Sequence, residues 1–158
     1  TWKSMIRLDL IRKAFDNAML EQMKKLLPGT PTQFVWLGLN VSSTPDLSKL
    51  HIITGFNPGE SSTQELGGPG SLAVRDGVYI ITQSLPQGMK VDEAWRIASG
   101  LESYFWQFIR EKPFYTGECR VWLDVPSTAN RETDPDQGRY LISTTIPWYT
   151  AYSGGAKE

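Results

Sequence analysis

Two stretches of the chain carry apolar residues at spacings of three and four, the period of an amphipathic α-helix. The first covers residues 5–27, with Ser4 as its N-cap and Pro28 and Gly29 as its stop. The second covers residues 90–110. The first apolar stripe consists of Leu8, Ile11, Phe15, Met19, Met23 and Leu26. The second consists of Val91, Ala94, Trp95, Ala98, Leu101, Phe105, Phe108 and Ile109.

Apolar residues elsewhere alternate with polar ones or form short runs, which is typical of β-strands. Strands are predicted at residues 33–42, 50–56, 72–85, 118–125 and 139–148. In the fourth strand, the side chains expected to face inward are Cys119, Val121, Leu123 and Val125. Pro147 is expected to end the last strand or to place it at a sheet edge, because proline cannot donate a ladder hydrogen bond.

Residues 57–71 separate two predicted strands and are rich in Gly, Pro and Ser, with Leu66 as their one large apolar side chain. So polar a segment cannot bury enough surface to order itself alone. Long loops of this kind in compact domains tend to be functional. If the flanking strands pair, the segment is the tip of a long hairpin, and Gly77 marks a bulge or a close backbone approach.

The order of elements, with helices at the first and fifth of seven positions, favours the α+β class. We expect a mostly antiparallel sheet of four to five strands, two helices packed on one face, and a long β-hairpin. A single domain is expected over residues 5–150, followed by a flexible tail at 151–158. With 158 residues, the chain is long enough to bury ~70% of its unfolded surface without a disulfide or metal.

Composition narrows the possible functions. The net charge of −1 comes without a basic patch, which argues against sequence-independent nucleic-acid binding. No apolar run approaches the ~20 residues of a membrane helix, and no signal-peptide pattern is present. One cysteine and one histidine exclude an internal disulfide and the usual zinc ligand sets.

Isolated residues offer little catalytic chemistry. Cys119 and His51 could act as nucleophile and base, but Cys119 falls in phase with buried residues and His51 begins a strand, where partial exposure is expected. The acidic connection around Asp124 and residues 132–136 lacks the spacing of a calcium loop. A glycine-rich run at residues 67–70 lacks the lysine of a phosphate-binding loop. We therefore predict no catalytic residue, no cofactor and no metal.

The six tryptophans differ in whether they fall on the apolar face of the predicted helix or strand that contains them. Trp95 lies in the second helical stripe and is expected in the core. Trp106 lies off that stripe, and Trp122 is out of phase with the apolar face of its strand. Two such aromatics are either partly exposed side chains of no special role or subunit contacts.

The order of several short motifs resembles that of the tail terminator and tail-completion proteins of long-tailed bacteriophages, over about residues 5–150. The first motifs are Ile6-Arg7 with Ile11-x-x-Ala14-Phe15, then Arg75-x-Gly77-x-Tyr79-x-Ile81 and Pro86-x-Gly88. They are followed by Ala94-x-x-Ile97-Ala98-x-x-Leu101-x-x-x-Phe105, Gly138-x-Tyr140 and Ile146-Pro147-Trp148.

That resemblance implies a structural virion protein without enzymatic activity. Its subunits would form a ring, usually a hexamer, that caps the tail tube, ends tail polymerisation and provides the head-tail joining surface. The implied partners are further copies of the chain, the tail tube protein and a neck protein. DNA would pass through the ring without sequence-specific recognition. The implied location is the virion tail, and the host cytoplasm during assembly.

Contacts within such an assembly are expected at the hairpin and at the off-phase tryptophans. The candidate residues are Phe56, Glu60, Gln64, Glu65, Leu66, Arg75, Trp106 and Trp122. One alternative is another phage neck or head-completion ring protein. A further alternative is a small-ligand-binding or hydrolytic α+β domain with a pocket formed by Tyr79, Trp36 and His51.

Overall fold

The computed structural model describes residues 7–27, 32–36, 48–63, 72–86, 88–116, 120–131 and 139–153. Two α-helices and seven β-strands lie within these ranges. The first five elements are α1 (Leu8–Leu26), β1 (Thr32–Trp36), β2 (Leu50–Thr63), β3 (Leu72–Leu85) and α2 (Val91–Arg110). The last four are β4 (Phe114–Tyr115), β5 (Arg120–Leu123), β6 (Ser127–Arg131) and β7 (Tyr140–Ser153).

The seven described strands form one sheet in the order β1-β2-β3-β7-β5-β4, and β6 also pairs with β7. Every described pair is antiparallel except β1 with β2. The predicted α+β class with a mostly antiparallel sheet is therefore confirmed, although the sheet has more strands than the four to five expected. The long hairpin is also present, because β2 and β3 pair from His51↔Ser84 to Thr63↔Ala73.

Both helices pack on the same face of the sheet through the predicted stripes. In α1 the buried residues are Ile11, Phe15, Ala18, Met19 and Met23. The helix begins at Leu8, later than expected, and Arg7 rather than Ser4 is its N-cap, with extended backbone and no side-chain cap. In α2, Val91 at the start of the predicted stripe is 40% exposed, whereas Ala94, three residues later, is fully buried.

The centre of the core is aromatic. The Phe15 ring stacks on the Tyr79 ring with a centroid distance of 4.8 Å, and the Phe114 ring lies at the same distance, tilted. Phe105 joins from α2 at 6.2 Å. Tyr79, Phe15 and Phe105 are fully buried. Rings at these separations add favourable electrostatics to the large area that they bury, so α1, α2 and β3 are fixed to one another at this point.

Gly100 lies where α2 closely approaches α1. A Cβ at Gly100 would lie 2.6 Å from Cδ2 of Leu26. The Arg96 guanidinium donates a hydrogen bond of 2.9 Å to the Leu26 carbonyl oxygen. The end of α1 is therefore attached to the middle of α2.

The hairpin is more regular than its composition suggests. Residues 57–63, expected to be part of the loop, belong to β2 and pair with β3 across a bulge between Pro58 and Ser61. The segment between the strands is thus confined to residues 64–71, which lie outside the described ranges. Gly77 provides the predicted close approach, since a Cβ there would lie 2.7 Å from both the Asn57 carbonyl oxygen and Cζ2 of Trp148.

Pro147 does not end β7, which continues to Ser153 and lies between β3 and its partners β5 and β6. The proline is tolerated because it faces the junction where β5 has ended and β6 has not begun. There its carbonyl oxygen accepts a hydrogen bond of 2.9 Å from the Asp124 amide. Neither β5 nor β6 has a ladder position opposite Pro147, so the missing N–H of the proline breaks no ladder hydrogen bond on that side. The domain boundary predicted at residue 150 therefore falls inside a strand.

Other predictions about the strands were incomplete or wrong. No strand was predicted at residues 127–131, which form β6, or at Phe114–Tyr115, which form β4. Val125 was expected inside but is 52% exposed, because β5 ends at Leu123. β1 lies at one end of the described sheet.

Candidate assembly surface

The two faces of the sheet have different surroundings. The Tyr79 hydroxyl donates to Asp16 of α1 at 2.5 Å, and the Gln83 side-chain amide donates to the Ala94 carbonyl oxygen of α2 at 3.0 Å. Odd-numbered residues of β3 therefore face the helices. The even-numbered residues of β3 and the odd-numbered residues of β7 face away, since Tyr79 pairs with Ile146 and Val78 with Pro147. We call this second side the helix-free face, because both described helices lie on the other side.

Apolar side chains occupy much of the helix-free face. Val78, Ile80 and Pro147 are half-buried, and Tyr149 is 43% exposed. Tyr149 stacks on Trp122 of β5 with a centroid distance of 5.6 Å and an interplanar angle of 10°. The Arg120 guanidinium carbon lies 5.0 Å from the centre of the Trp122 ring. These side chains form a continuous aromatic and aliphatic surface across β3, β7 and β5.

A concavity of about 500 Å³ opens on this face. Its walls include Val74, Val78, Pro147 and Tyr149, which are largely apolar. Two carboxylates, those of Asp76 and Asp124, also line it, and both residues are exposed. Asp124 accepts a hydrogen bond of 2.7 Å from the Val125 amide, which fixes one of its oxygens. The concavity is thus negatively charged with an aromatic wall.

The opposite side of the same strands carries a second aromatic pair. Trp148 is 1% exposed and stacks on Phe56 of β2 with a centroid distance of 5.5 Å and an interplanar angle of 1°. The indole lies over Gly77, which leaves room for it. Arg75 lies two residues further along β3 on this side, paired with Thr150 and Ser61. Phe56, Trp148 and Arg75 therefore share one surface.

This second surface contains two buried donors without acceptors. Nε of Arg75 and Nε1 of Trp148 have almost no accessible area and no hydrogen-bond partner. Across the described ranges, no ion pair is recorded for the Arg75 guanidinium either. Buried donors without a partner are rare and costly, so these two atoms are unusual among the buried polar groups of the described residues.

The predicted contact residues are distributed as follows. Phe56 and Arg75 lie together beside Trp148, and Trp122 lies on the helix-free face. Trp106 is 37% exposed on α2, away from both groups. Glu60 belongs to β2, and Gln64, Glu65 and Leu66 lie outside the described residues.

The pocket considered for a ligand-binding or hydrolytic domain is not formed by the residues proposed. Tyr79 faces the helices, whereas His51, paired with Ser84, faces the other side and is buried rather than partly exposed. Burial, with a further contribution from Asp16, raises the pKa of Tyr79 far above its usual range. Its hydroxyl therefore stays protonated and acts as a donor to the carboxylate within the core.

Other candidate chemistry is limited in the part of the chain that the structure describes. No group of three or more His, Cys, Asp or Glu lies close enough to share a metal ion there. Cys119 and the acidic residues at 132–136 lie outside that part. No described helix is long and apolar enough to cross a membrane.

Sequence reasoning missed Tyr149, Asp76 and Val78 as surface residues. Tyr149 follows Pro147, where the last strand was expected to end, so it was not assigned to a face. Asp76 and Val78 alternate with Arg75 and Gly77 in the sequence. That alternation shows that they face the other side, but only the contacts of Tyr79 and Gln83 with α1 and α2 show that both described helices lie away from that side.

Comparison with known proteins gives the fold and nothing more specific. No protein-family model matches the chain, and no curated protein matches it. Twenty chains of solved structures do match. One of them, designated by a sequence identifier and not by a function, aligns with a TM-score of 0.65 over 92% of this chain and 96% of its own, at 18% identity. Similarity at that level shows a shared fold, and fold alone does not determine function.

Proposed function

We propose that this chain is the subunit of a ring, a hexamer by the resemblance described above, that caps the tail tube of a long-tailed bacteriophage. Capping ends tail polymerisation and presents the surface to which the head's neck proteins bind. The chain acts by binding and not by catalysis. Its partners are further copies of itself, the tail tube protein and a neck protein.

The observation that carries this proposal is the apolar character of the helix-free face. An antiparallel sheet with one solvated face usually places polar residues there. Here Val78, Ile80 and Pro147 are half-buried, and the stacked Trp122 and Tyr149 extend the same surface. A contiguous apolar surface of this kind, bordered by charges such as Arg120 and Asp76, is typical of a protein–protein contact.

A closed ring also requires two different surfaces on each subunit, because a heterologous contact joins one patch to another. The three long strands β2, β3 and β7 provide two surfaces at their far end. One is the acidic concavity next to Tyr149, and the other is formed by the half-buried Phe56 and Arg75 on the opposite side, over the buried Trp148. Their opposite positions on one thin sheet suit head-to-tail association.

Electron microscopy of tail tubes assembled with and without the purified chain tests the proposal. We expect rings at tube ends and a narrow distribution of tube lengths when the chain is present. Tubes that grow equally long with the chain present, and that carry no extra ring, would contradict it. Binding to isolated neck complexes but not to tubes would instead indicate a neck ring protein.

A further inference from the structure

We propose that the groove between α1 and the end of α2 binds an extended, proline-containing segment of a partner protein, with a basic side chain of that segment next to Glu21. The groove has a volume of about 600 Å³ and lies on the side of the sheet that carries the helices. Because it shares no residue with the two surfaces proposed for the ring, its binding goes beyond that function and does not depend on it.

One wall of the groove is a row of aromatic rings that hold one another in place. The Phe108 ring meets the Tyr104 ring edge to face at a centroid distance of 5.4 Å, and it meets the Phe114 ring in the same way at 5.0 Å. Phe114 is buried in the core, whereas Tyr104 and Phe108 are half-buried. The rings that face the groove are therefore fixed before a partner binds, which lowers the entropic cost of binding. Proline-rich segments bind in aromatic-lined grooves of this kind.

The opposite wall is one stripe of α1. Leu10, Ala14 and Ala18 lie four residues apart and form its apolar part. Glu21, three residues after Ala18, ends the stripe. The helix rises ~16 Å from Leu10 to Glu21. A polyproline II segment advances ~3 Å per residue with three residues per turn, so about five residues fit, enough for two prolines on one face.

Hydrogen-bond donors along the groove favour an extended partner over a helical one. Tyr104, Asn17 and Lys13 line the groove, and each carries a side-chain donor. Burial, with a further contribution from Glu21, raises the pKa of Tyr104, so its hydroxyl keeps its proton. The carbonyl oxygens of a polyproline II segment have no internal hydrogen bonds and can accept from these donors, whereas a helix satisfies its own carbonyls.

The charges at the rim of the groove determine which end of the partner segment is basic. Glu21 and Lys13 are both exposed on α1. Eight residues of helix separate them by ~12 Å, so a segment that spans the groove meets them at opposite ends. A basic side chain is attracted by Glu21 and repelled by Lys13, and the basic end therefore lies next to Glu21.

Fluorescence anisotropy with labelled peptides tests this binding and needs no tail tubes. The probes are the octapeptide Arg-Ala-Leu-Pro-Ala-Leu-Pro-Ala and the peptide of reversed sequence, because an extended segment can lie in a groove in either direction. We expect saturable binding of at least one probe. The same peptide with alanine in place of both prolines should bind ~10-fold more weakly, because it loses more conformational freedom on binding.

Two substitutions separate the proposed contacts. Tyr104→Phe removes one hydroxyl donor and keeps the ring, so binding should weaken ~3-fold. Glu21→Lys reverses the charge next to the basic end of the peptide and should also weaken binding ~3-fold, with the difference lost at high salt. Asp92→Lys, an exposed charge reversal at the opposite end of α2, should bind like the wild type. Thermal unfolding of each variant checks that it remains folded.

Four results would overturn the proposal. Neither probe binds saturably at concentrations up to ~1 mM. The alanine peptide binds as tightly as the proline peptide, which would show that the groove does not select a polyproline II segment. Neither Tyr104→Phe nor Glu21→Lys changes the binding, which would place the peptide elsewhere. The chain self-associates through the groove, measured as association that Glu21→Lys abolishes, without binding a probe. A chain that binds the peptide but does not cap tail tubes would contradict the ring function alone.

Discussion

Tyr79 and Val78 are neighbours in β3, yet their side chains enter different environments. Tyr79 is fully buried, stacked on Phe15 and hydrogen-bonded to Asp16 of α1. Val78 is half-buried on the helix-free face, beside a concavity lined by two carboxylates. One face thus closes the domain on itself, while the other retains apolar surface and two exposed carboxylates. This difference separates the residues that stabilise the subunit from those available for assembly.

The largest effect on stability is expected from the helix-packed face. Phe15→Ala removes a fully buried ring that contacts Tyr79, Phe105 and Phe114. The lost burial and the cavity left behind should lower the free energy of unfolding by ~3–5 kcal/mol, measured by urea denaturation. Tyr149→Ala is the matched control on the helix-free face and should cost less than ~1 kcal/mol. Equal losses from the two substitutions would contradict the separation of roles.

A smaller loss of stability is expected at Gly77, where the Trp148 ring packs against the backbone of β3. Gly77→Ala places a methyl group 2.7 Å from a backbone oxygen and from the Trp148 ring, neither of which can move freely. Such overpacking should cost ~1–3 kcal/mol, measured by urea denaturation.

Gly100→Ala provides the comparison for that experiment. Its methyl group meets only the end of the Leu26 side chain, and the gain in helix propensity of ~1 kcal/mol offsets the crowding. A Gly77→Ala variant as stable as Gly100→Ala would show that the Trp148 surface is not tightly packed.

The smallest effect expected in the isolated subunit is a change in pH dependence. Burial raises the pKa of Asp16, and this exceeds the opposing effects of Tyr79 and Arg12. The folded state therefore holds the proton to a higher pH than the unfolded chain does. The contribution of Asp16 to stability is present below its unfolded pKa of about 3.9 and declines as the pH rises through its folded value.

Asp16→Asn should remove this decline, because the amide does not ionise and its oxygen can still accept from Tyr79. The free energy of unfolding of the wild type minus that of the variant should then fall as the pH rises from the unfolded pKa of Asp16 through its higher folded value, measured by urea denaturation at each pH. Asp9→Asn is the exposed control, since the Arg7 guanidinium lowers the pKa of Asp9 and the sign should be reversed. If the free energy of unfolding of the wild type minus that of Asp16→Asn instead rose with pH, folding would favour the ionised carboxylate of Asp16, and the prediction would be wrong.

The helices could be predicted from the sequence because their pattern reports local burial. The stripes from Ile11 to Met23 and from Ala94 to Phe105 are visible in the chain and are buried in the structure. The strands were less predictable because partners far away in sequence decide them. β6, Ser127–Arg131, has four polar residues and one alanine, and it is a strand because the ladder with β7 satisfies its backbone. No strand was predicted there, because the segment has no apolar alternation.

The candidate surface was predicted in part for the same reason. Phe56, Arg75 and Trp122 could be selected from their motif or phase. Their division between two opposite surfaces depends on the register Gly77↔Trp148 and Trp122↔Tyr149, which no local pattern encodes. The acidic concavity could not be predicted at all, because Asp76 and Asp124, which line it together, are 48 residues apart by their numbers.

The central claim is that another protein subunit covers the helix-free face in the assembled state. Hydroxyl-radical footprinting of the free chain and of the chain bound to tail tubes measures this directly. We predict that oxidation of Tyr149 and Trp122 falls several-fold on the tubes relative to that of Tyr115, which is 63% exposed on β4. Rings that form while Tyr149 and Trp122 remain as reactive as in the free chain would contradict the claim.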